Sequence, residues 1–142
     1  MGYELIDVDT LEPLPHRTAR GVEVSDHYHA VEAAGDTPPA TRGPQHMGFR
    51  VYDAEPGEAL TDGMHYHEEQ EELFYVVDGE LHVETPDDLI EVTAGQVLLI
   101  EPGSPQFAFV PADASDSAHI VAAGAPSYRD LARNDGVPYT VE

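Results

Sequence analysis

His65, Tyr66 and His67 run straight into Glu68, Glu69, Gln70, Glu71 and Glu72, then an apolar stretch, then Asp78-Gly79. Two imidazoles and one carboxylate form a donor set for a divalent transition ion such as Fe, Mn, Ni or Zn. Side chains alternate along an extended strand, so His65 and His67 would share one face and Tyr66 the other. The two rings would start about 6–7 Å apart along that face, and a strand curving around an ion can bring both onto it. The carboxylate would come from a neighbouring strand. The histidine pair alone is a weak signal, because chance places roughly 0.4 such pairs in a chain this rich in histidine. Indeed His27-Tyr28-His29 is a second one.

Elements able to position these groups are legible from Met47 onward. Short alternating segments separated by turn residues predict strands at Met47–Ala54, Leu60–His67, Glu72–Val77, Glu80–Glu84, Leu89–Thr93, Gln96–Glu101, Gln106–Val110 and Ala118–Ala123. Asp78-Gly79 reads as a tight hairpin turn, since Gly accepts the positive φ it needs. A single helix is predicted late, near Ser127–Arg133. Residues 1–45 read as an irregular arm with a Pro/Gly-rich loop, and residues 125–142 as a tail. Closely spaced strands with one late helix predict a single all-β domain over residues 1–142, a sandwich or barrel of jelly-roll type.

The spacing H-x-H-x4-E-x6-G is met by His65, His67, Glu72 and Gly79, and AGQVLLIEPGSPQ follows, ending at Gln106. Together these resemble the two signature motifs of the cupin superfamily, G-x5-H-x-H-x3-4-E-x6-G and G-x5-P-x-G-x2-H-x3-N, over about residues 47–124. The resemblance implies a cupin double-stranded β-helix, with His65, His67 and Glu72 as metal ligands and Gly79, Gly95 and Gly103 as turn glycines. Glu71 is the rival carboxylate, but only Glu72 leaves six residues before Gly79. Three positions depart from the family pattern. Ala59 stands where the first glycine is expected, with Gly57 two places earlier, and Glu101 replaces the proline of the second motif. Gln106 takes the place of the third metal histidine. An amide oxygen is a weaker donor than imidazole for late first-row metals, so Gln106 is expected either to ligate loosely or to stand just behind the ligands.

Other residues carry blander readings. Glu68, Glu69 and Glu71 read as a solvated turn. His27 and His29 are not followed by a second motif and read as surface or arm residues; His82 and His119 read as hydrogen-bonded strand histidines that could also line the pocket. Phe49, Tyr75, Phe107 and Phe109 read as core.

Composition limits the partners. There are 28 acidic residues against 6 basic ones, all arginine, for a net charge of −22. Without a basic stripe to displace counterions, nucleic acid is not an expected partner, and anionic membranes would repel the chain. With no cysteine, disulfides, thiol nucleophiles and thiolate metal sites are excluded. No apolar run has the length of a signal peptide core or a membrane span, so a cytoplasmic location is expected. Loss of all lysine beside ordinary apolar patterning resembles the proteomes of salt-in halophiles, archaea in particular, whose surfaces rely on salt screening. No dinucleotide, P-loop or nucleophile-elbow motif occurs.

The expected function is a metal-binding cupin that binds or acts on a small molecule inside the barrel. A redox ion would support dioxygenase chemistry, and a redox-inert one would support sugar isomerisation by polarising a carbonyl. The alternative is a non-catalytic, metal-free cupin that binds a small molecule or serves a structural role. The family resemblance also implies a homodimer.

Overall fold

The computed structural model describes residues 2–13, 18–19, 22–23, 25, 28–32 and 43–140. A short 3-10 turn, Val8–Thr10, precedes two brief paired strands, β1 (Thr18–Ala19) and β2 (Val22–Glu23). The remaining strands are β3 (Tyr28–Ala30), β4 (Gly48–Ala54), β5 (His65–His67), β6 (Glu71–Asp78), β7 (Glu80–Glu84), β8 (Leu89–Thr93), β9 (Val97–Ile100), β10 (Phe107–Phe109), β11 (Ala118–Ala125) and β12 (Gly136–Pro138). One helical turn, α1 (Tyr128–Leu131), begins at an N-cap where Ser127 accepts from the Asp130 N–H.

Two antiparallel layers face each other. One has strand order β3-β4-β11-β6-β9; the other holds β10-β7-β8, to which β12-β5 is joined by the antiparallel bridge between His65 and Gln106. This is a jelly-roll β-barrel, as the strand pattern predicts. Alternation fills the space between the layers: Phe74 and Val76 point in from β6, Leu81 and Val83 from β7, and Ile120 and Ala122 from β11. Apolar side chains at every second position of facing strands make a continuous core, which is what confines each strand to one register.

Four expectations need correction. Asp78-Gly79 does not close a hairpin, because β6 pairs with β9 and β11 while β7 pairs with β8 and β10. The positive φ of +86° at Gly79 is present, but it turns the chain from one layer to the other. A Cβ at Gly79 would lie 2.9 Å from the Ala118 Cα and 3.1 Å from the Ser117 carbonyl, so the crossing also needs the missing side chain. Second, part of the supposed arm is sheet: β3 pairs along β4, with Tyr28 opposite Tyr52. Third, the tail contributes β12, which lies along β5. Fourth, the four aromatic residues expected in the core lie outside it, Phe49, Phe107 and Phe109 being half-buried. Tyr75 is 38% exposed, and Phe107 and Phe109 flank the inward-pointing Ala108, while the buried aromatic positions are those of Phe74 and Tyr52.

Candidate functional site

β5 is short, and each end of it is tied to a different partner. His65 exchanges both backbone hydrogen bonds with Gln106, at 3.1 and 2.9 Å, so their side chains lie opposite each other on the same face. At the other end the His67 carbonyl accepts from the Gly103 N–H at 2.7 Å, which places the turn at Gly103 (φ +83°) against the strand. The two imidazoles lie with centroids 5.0 Å apart and planes 88° to one another.

Both rings are held by one nitrogen. His65 Nδ1 lies 3.0 Å from the Gly63 carbonyl, and His67 Nδ1 lies 2.9 Å from Asp135 Oδ1. Each of those partners is an acceptor, so a ring in its neutral form donates through Nδ1 and presents a bare lone pair at Nε2. Burial lowers the pKa of His65, which keeps it neutral. Asp135 is itself fully buried, and its other oxygen accepts the backbone N–H groups of Glu69 and Gln70, at 2.9 Å each. Burial alone would raise the Asp135 pKa, but those two N–H groups and His67 together hold it below the usual carboxylate value.

Glu72 stands on the inward face of β6, two residues before Phe74. Its Oε2 lies 3.5 Å from His67 Nε2, is buried and has no hydrogen-bond partner, and burial raises the carboxyl pKa. Gln106 is 3% exposed, and its Oε1 is likewise buried without a partner. The structure brings His67 Nε2 and Glu72 Oε2 together and sets His65 opposite Gln106 through the backbone; the two bare ring nitrogens and the two unpartnered oxygens are all acceptors. A cation suits such a set. Among the described residues, no three His, Asp or Glu side chains stand close enough as placed to hold a metal ion.

The four residues front three cavities. His65 and His67 line one of about 430 Å³, Glu72 one of about 250 Å³, and Gln106 one of about 240 Å³. Arg50 and Tyr128 border both of the first two.

The remaining candidates lie elsewhere. His82 is on the outward side of β7, beside Glu80 at 3.3 Å and edge-on to Phe109, and His119 is half exposed near Asp53. Neither lines these cavities. His29 is on β3 with its Nδ1 buried and unpartnered, rather than at the surface, and His27 lies outside the described residues. Glu68, Glu69 and Glu71 are exposed, as a solvated turn should be, and Glu101 is exposed too.

Sequence reasoning missed Asp135, Gln70, Arg50 and Tyr128. Asp135 reads as the middle of an Asn-Asp-Gly turn, and nothing local connects it with a histidine far upstream. Gln70 hides among surface carboxylates, yet it is buried, donates to the Pro126 carbonyl and packs where a Gly124 Cβ would lie 2.7 Å away. Arg50 carried a usable signal: a cation inside an apolar strand of a chain with few cations.

Comparison with known proteins agrees with this architecture. The family described as Cupin domain matches residues 50–114. The match spans a little under half of the chain and is a similarity to that family. A cupin protein from Bacteroides fragilis superposes with a TM-score of 0.55 at 15% identity, covering 81% of this chain and 85% of that one. KdgF from Halomonas sp. gives 0.53 at 15% identity, covering 74% and 85%. L-ribose isomerase of Cellulomonas parahominis, solved with L-psicose, gives 0.54 at 14% identity, covering 66% and 58%. At such identities the likeness is one of fold. No curated protein matches the chain.

Proposed function

We propose that this cupin binds a divalent transition ion through His65, His67, Glu72 and Gln106 and acts on a small molecule in the adjoining cavity. The observation that carries the reading is His67. With Nδ1 committed to Asp135, its Nε2 lone pair faces a carboxylate oxygen 3.5 Å away. Two acceptors at that separation repel unless a cation lies between them. Bound there, Fe, Mn, Ni or Zn would supply Lewis acidity, or redox chemistry in the case of a redox-active ion. The chain's own contribution is to fix both rings by their second nitrogens, a device that orients metal-binding histidines. It also keeps the donors dry and leaves the cavity at Arg50 and Tyr128 open to a ligand. A sugar isomerase and a dioxygenase would both use this arrangement; the fold shared with an L-ribose isomerase supports the first.

A second reading rests on the same contact. A proton can lie between His67 and Glu72 in place of a metal, consistent with the raised Glu72 pKa, and the cavity then serves a metal-free binding protein. Elemental analysis of protein purified in high salt separates the two. About one metal per chain, lost in His65→Ala, is expected; no uptake of Fe(II), Mn(II), Ni(II) or Zn(II) by the wild type would leave the metal-free reading. Retention in Gln106→Ala would place the amide outside the ligand set.

Charge supports the cellular setting we propose, a salt-rich cytoplasm, with neither nucleic acid nor membrane as partner. No helix among the described residues is long and apolar enough to cross a membrane. Thermal stability should rise steeply from millimolar to molar KCl, and a melting temperature indifferent to salt would contradict the halophilic reading. A homodimer is also proposed. The outer face of β6 and β9 exposes Tyr75, Val97 and Leu99, an uncharged patch on which two strongly acidic copies can meet. Sedimentation of Val97→Asp should then show the monomer.

A further inference from the structure

Arg50 projects from the middle of β4, where its neighbours across the sheet are Ala30 and Ala122. Its guanidinium lies over two tyrosine rings, 6.0 Å from the Tyr28 centroid and 5.9 Å from that of Tyr128. The Nε–H donates to Glu32 at 2.8 Å, and the other Glu32 oxygen accepts the Phe49 N–H at 3.0 Å. The rings and Glu32 therefore fix the plane of the guanidinium and take one of its five N–H donors. Tyr52, buried behind it, is near enough to take another. The group so fixed borders both the cavity of His65 and His67 and the cavity of Glu72.

The surroundings make this a selective position. In a chain with 28 acidic residues and 6 arginines, Arg50 is the half-buried charged residue of the larger cavity wall. Asp62, the other charged residue of that wall, is exposed. Arg129, at the smaller cavity, is exposed as well and bonds to the Glu32 carbonyl at 3.1 Å. A planar, pre-oriented guanidinium suits a carboxylate, which it can engage through two parallel hydrogen bonds. One arginine near Glu72 favours a monoanion over a phosphate dianion.

We propose that Arg50 is the anion-recognition residue of the site, and that the ligand is a small carboxylate held on the guanidinium with its other end toward His65 and His67. This rests on the reading of that cavity as the ligand site. It does not depend on the metal.

Calorimetric titration at one fixed KCl concentration tests it, on metal-free protein and on protein incubated with Mn(II). The probes are acid–amide pairs: lactate and lactamide, gluconate and gluconamide, benzoate and benzamide. At least one acid should bind about tenfold or more tightly than its amide, a difference the size of one charge-assisted contact. Arg50→Gln should erase that preference in both metal states. Arg50→Lys, which keeps the charge and guards against a folding defect, should retain part of it. Glu32→Gln, which removes the competing carboxylate, should tighten acid binding. Equal binding of acid and amide, or no acid bound by protein that melts as wild type, overturns the proposal. So does an acid preference that survives Arg50→Gln and disappears when metal is removed, since that assigns the carboxylate to the ion. If instead the metal reading alone fails, the metal-free protein still prefers the acid.

Discussion

β6 passes from one kind of interior to another within five residues. At Val76 it belongs to the same core cluster as Leu81, Val83, Ala118 and Ile120, all essentially fully buried hydrocarbon. At Glu72 it meets His67, with Asp135 behind the ring. The first region is held by dispersion and the hydrophobic effect, which need only size and alternation. The second is held by directional hydrogen bonds whose partners come from distant parts of the chain, and a missing partner there is expensive. The first region accounts for the stability of the barrel, and the second keeps polar atoms unpaired where a ligand can pair with them.

The largest effect should come from the hydrocarbon side. Leu81→Ala removes a side chain with no exposure and should cost about 2–5 kcal/mol, read from denaturant unfolding at fixed salt. The metal content of the folded fraction should be unchanged. A comparable loss of metal would show that the two regions are one cooperative unit, and would break the contrast.

The polar side should respond the opposite way. Asp135→Asn keeps one acceptor but leaves some of three donors, the His67 Nδ1–H and the N–H groups of Glu69 and Gln70, without a charged partner. A loss of about 1–3 kcal/mol is expected, with metal affinity falling roughly 10–100-fold because the ring is no longer fixed. A variant that loses stability and keeps its metal affinity would make Asp135 purely structural.

The contrast explains which parts of this molecule the sequence discloses. β7 and β8 were predicted to the residue, because Leu81, Val83 and Val92 alternate with polar neighbours and turn residues bound both strands. His65, His67 and Glu72 were singled out as a set only through the resemblance of their spacing to a family motif. Asp135 was not, since its importance comes from β12 lying along β5, a pairing between segments far apart in the chain. Gly79 shows the same limit in the backbone. Its need for positive φ was readable, but whether the turn closes a hairpin or crosses between layers depends on what the next strand pairs with.

Acid–base behaviour sharpens the comparison, because two carboxyls in one region titrate with opposite signs. In metal-free protein, the Glu72 pKa is raised above its ordinary 4.5, so its contribution is favourable in acid and is lost as pH rises through the raised value. The Asp135 pKa is lowered from 3.8, so its contribution is present above that and is lost as pH falls. The His65 pKa, lowered from 6.5 by burial, takes stability away as pH drops below 6.5. Glu72→Gln should therefore be at least as stable as wild type at neutral pH, while losing metal. Stability curves against pH for this variant and Asp135→Asn should diverge in opposite directions, and parallel curves would remove the distinction between the two groups.

The smallest expected effect tests how the tail is held in place. Arg133 reaches Glu68 at 3.5 Å and Glu69 at 3.6 Å, so it bridges the tail to the acidic turn from outside, just as Asp135 does from inside. All three of these side chains are about half exposed, and such pairs contribute about 0–1 kcal/mol at ordinary ionic strength and less in concentrated salt. Arg133→Ala should thus be nearly silent in molar KCl, both in unfolding and in metal content. A clear loss of either in high salt would mean that the bridge, screened as it is, positions Asp135 beneath His67. The surface and the buried site would then be a single device.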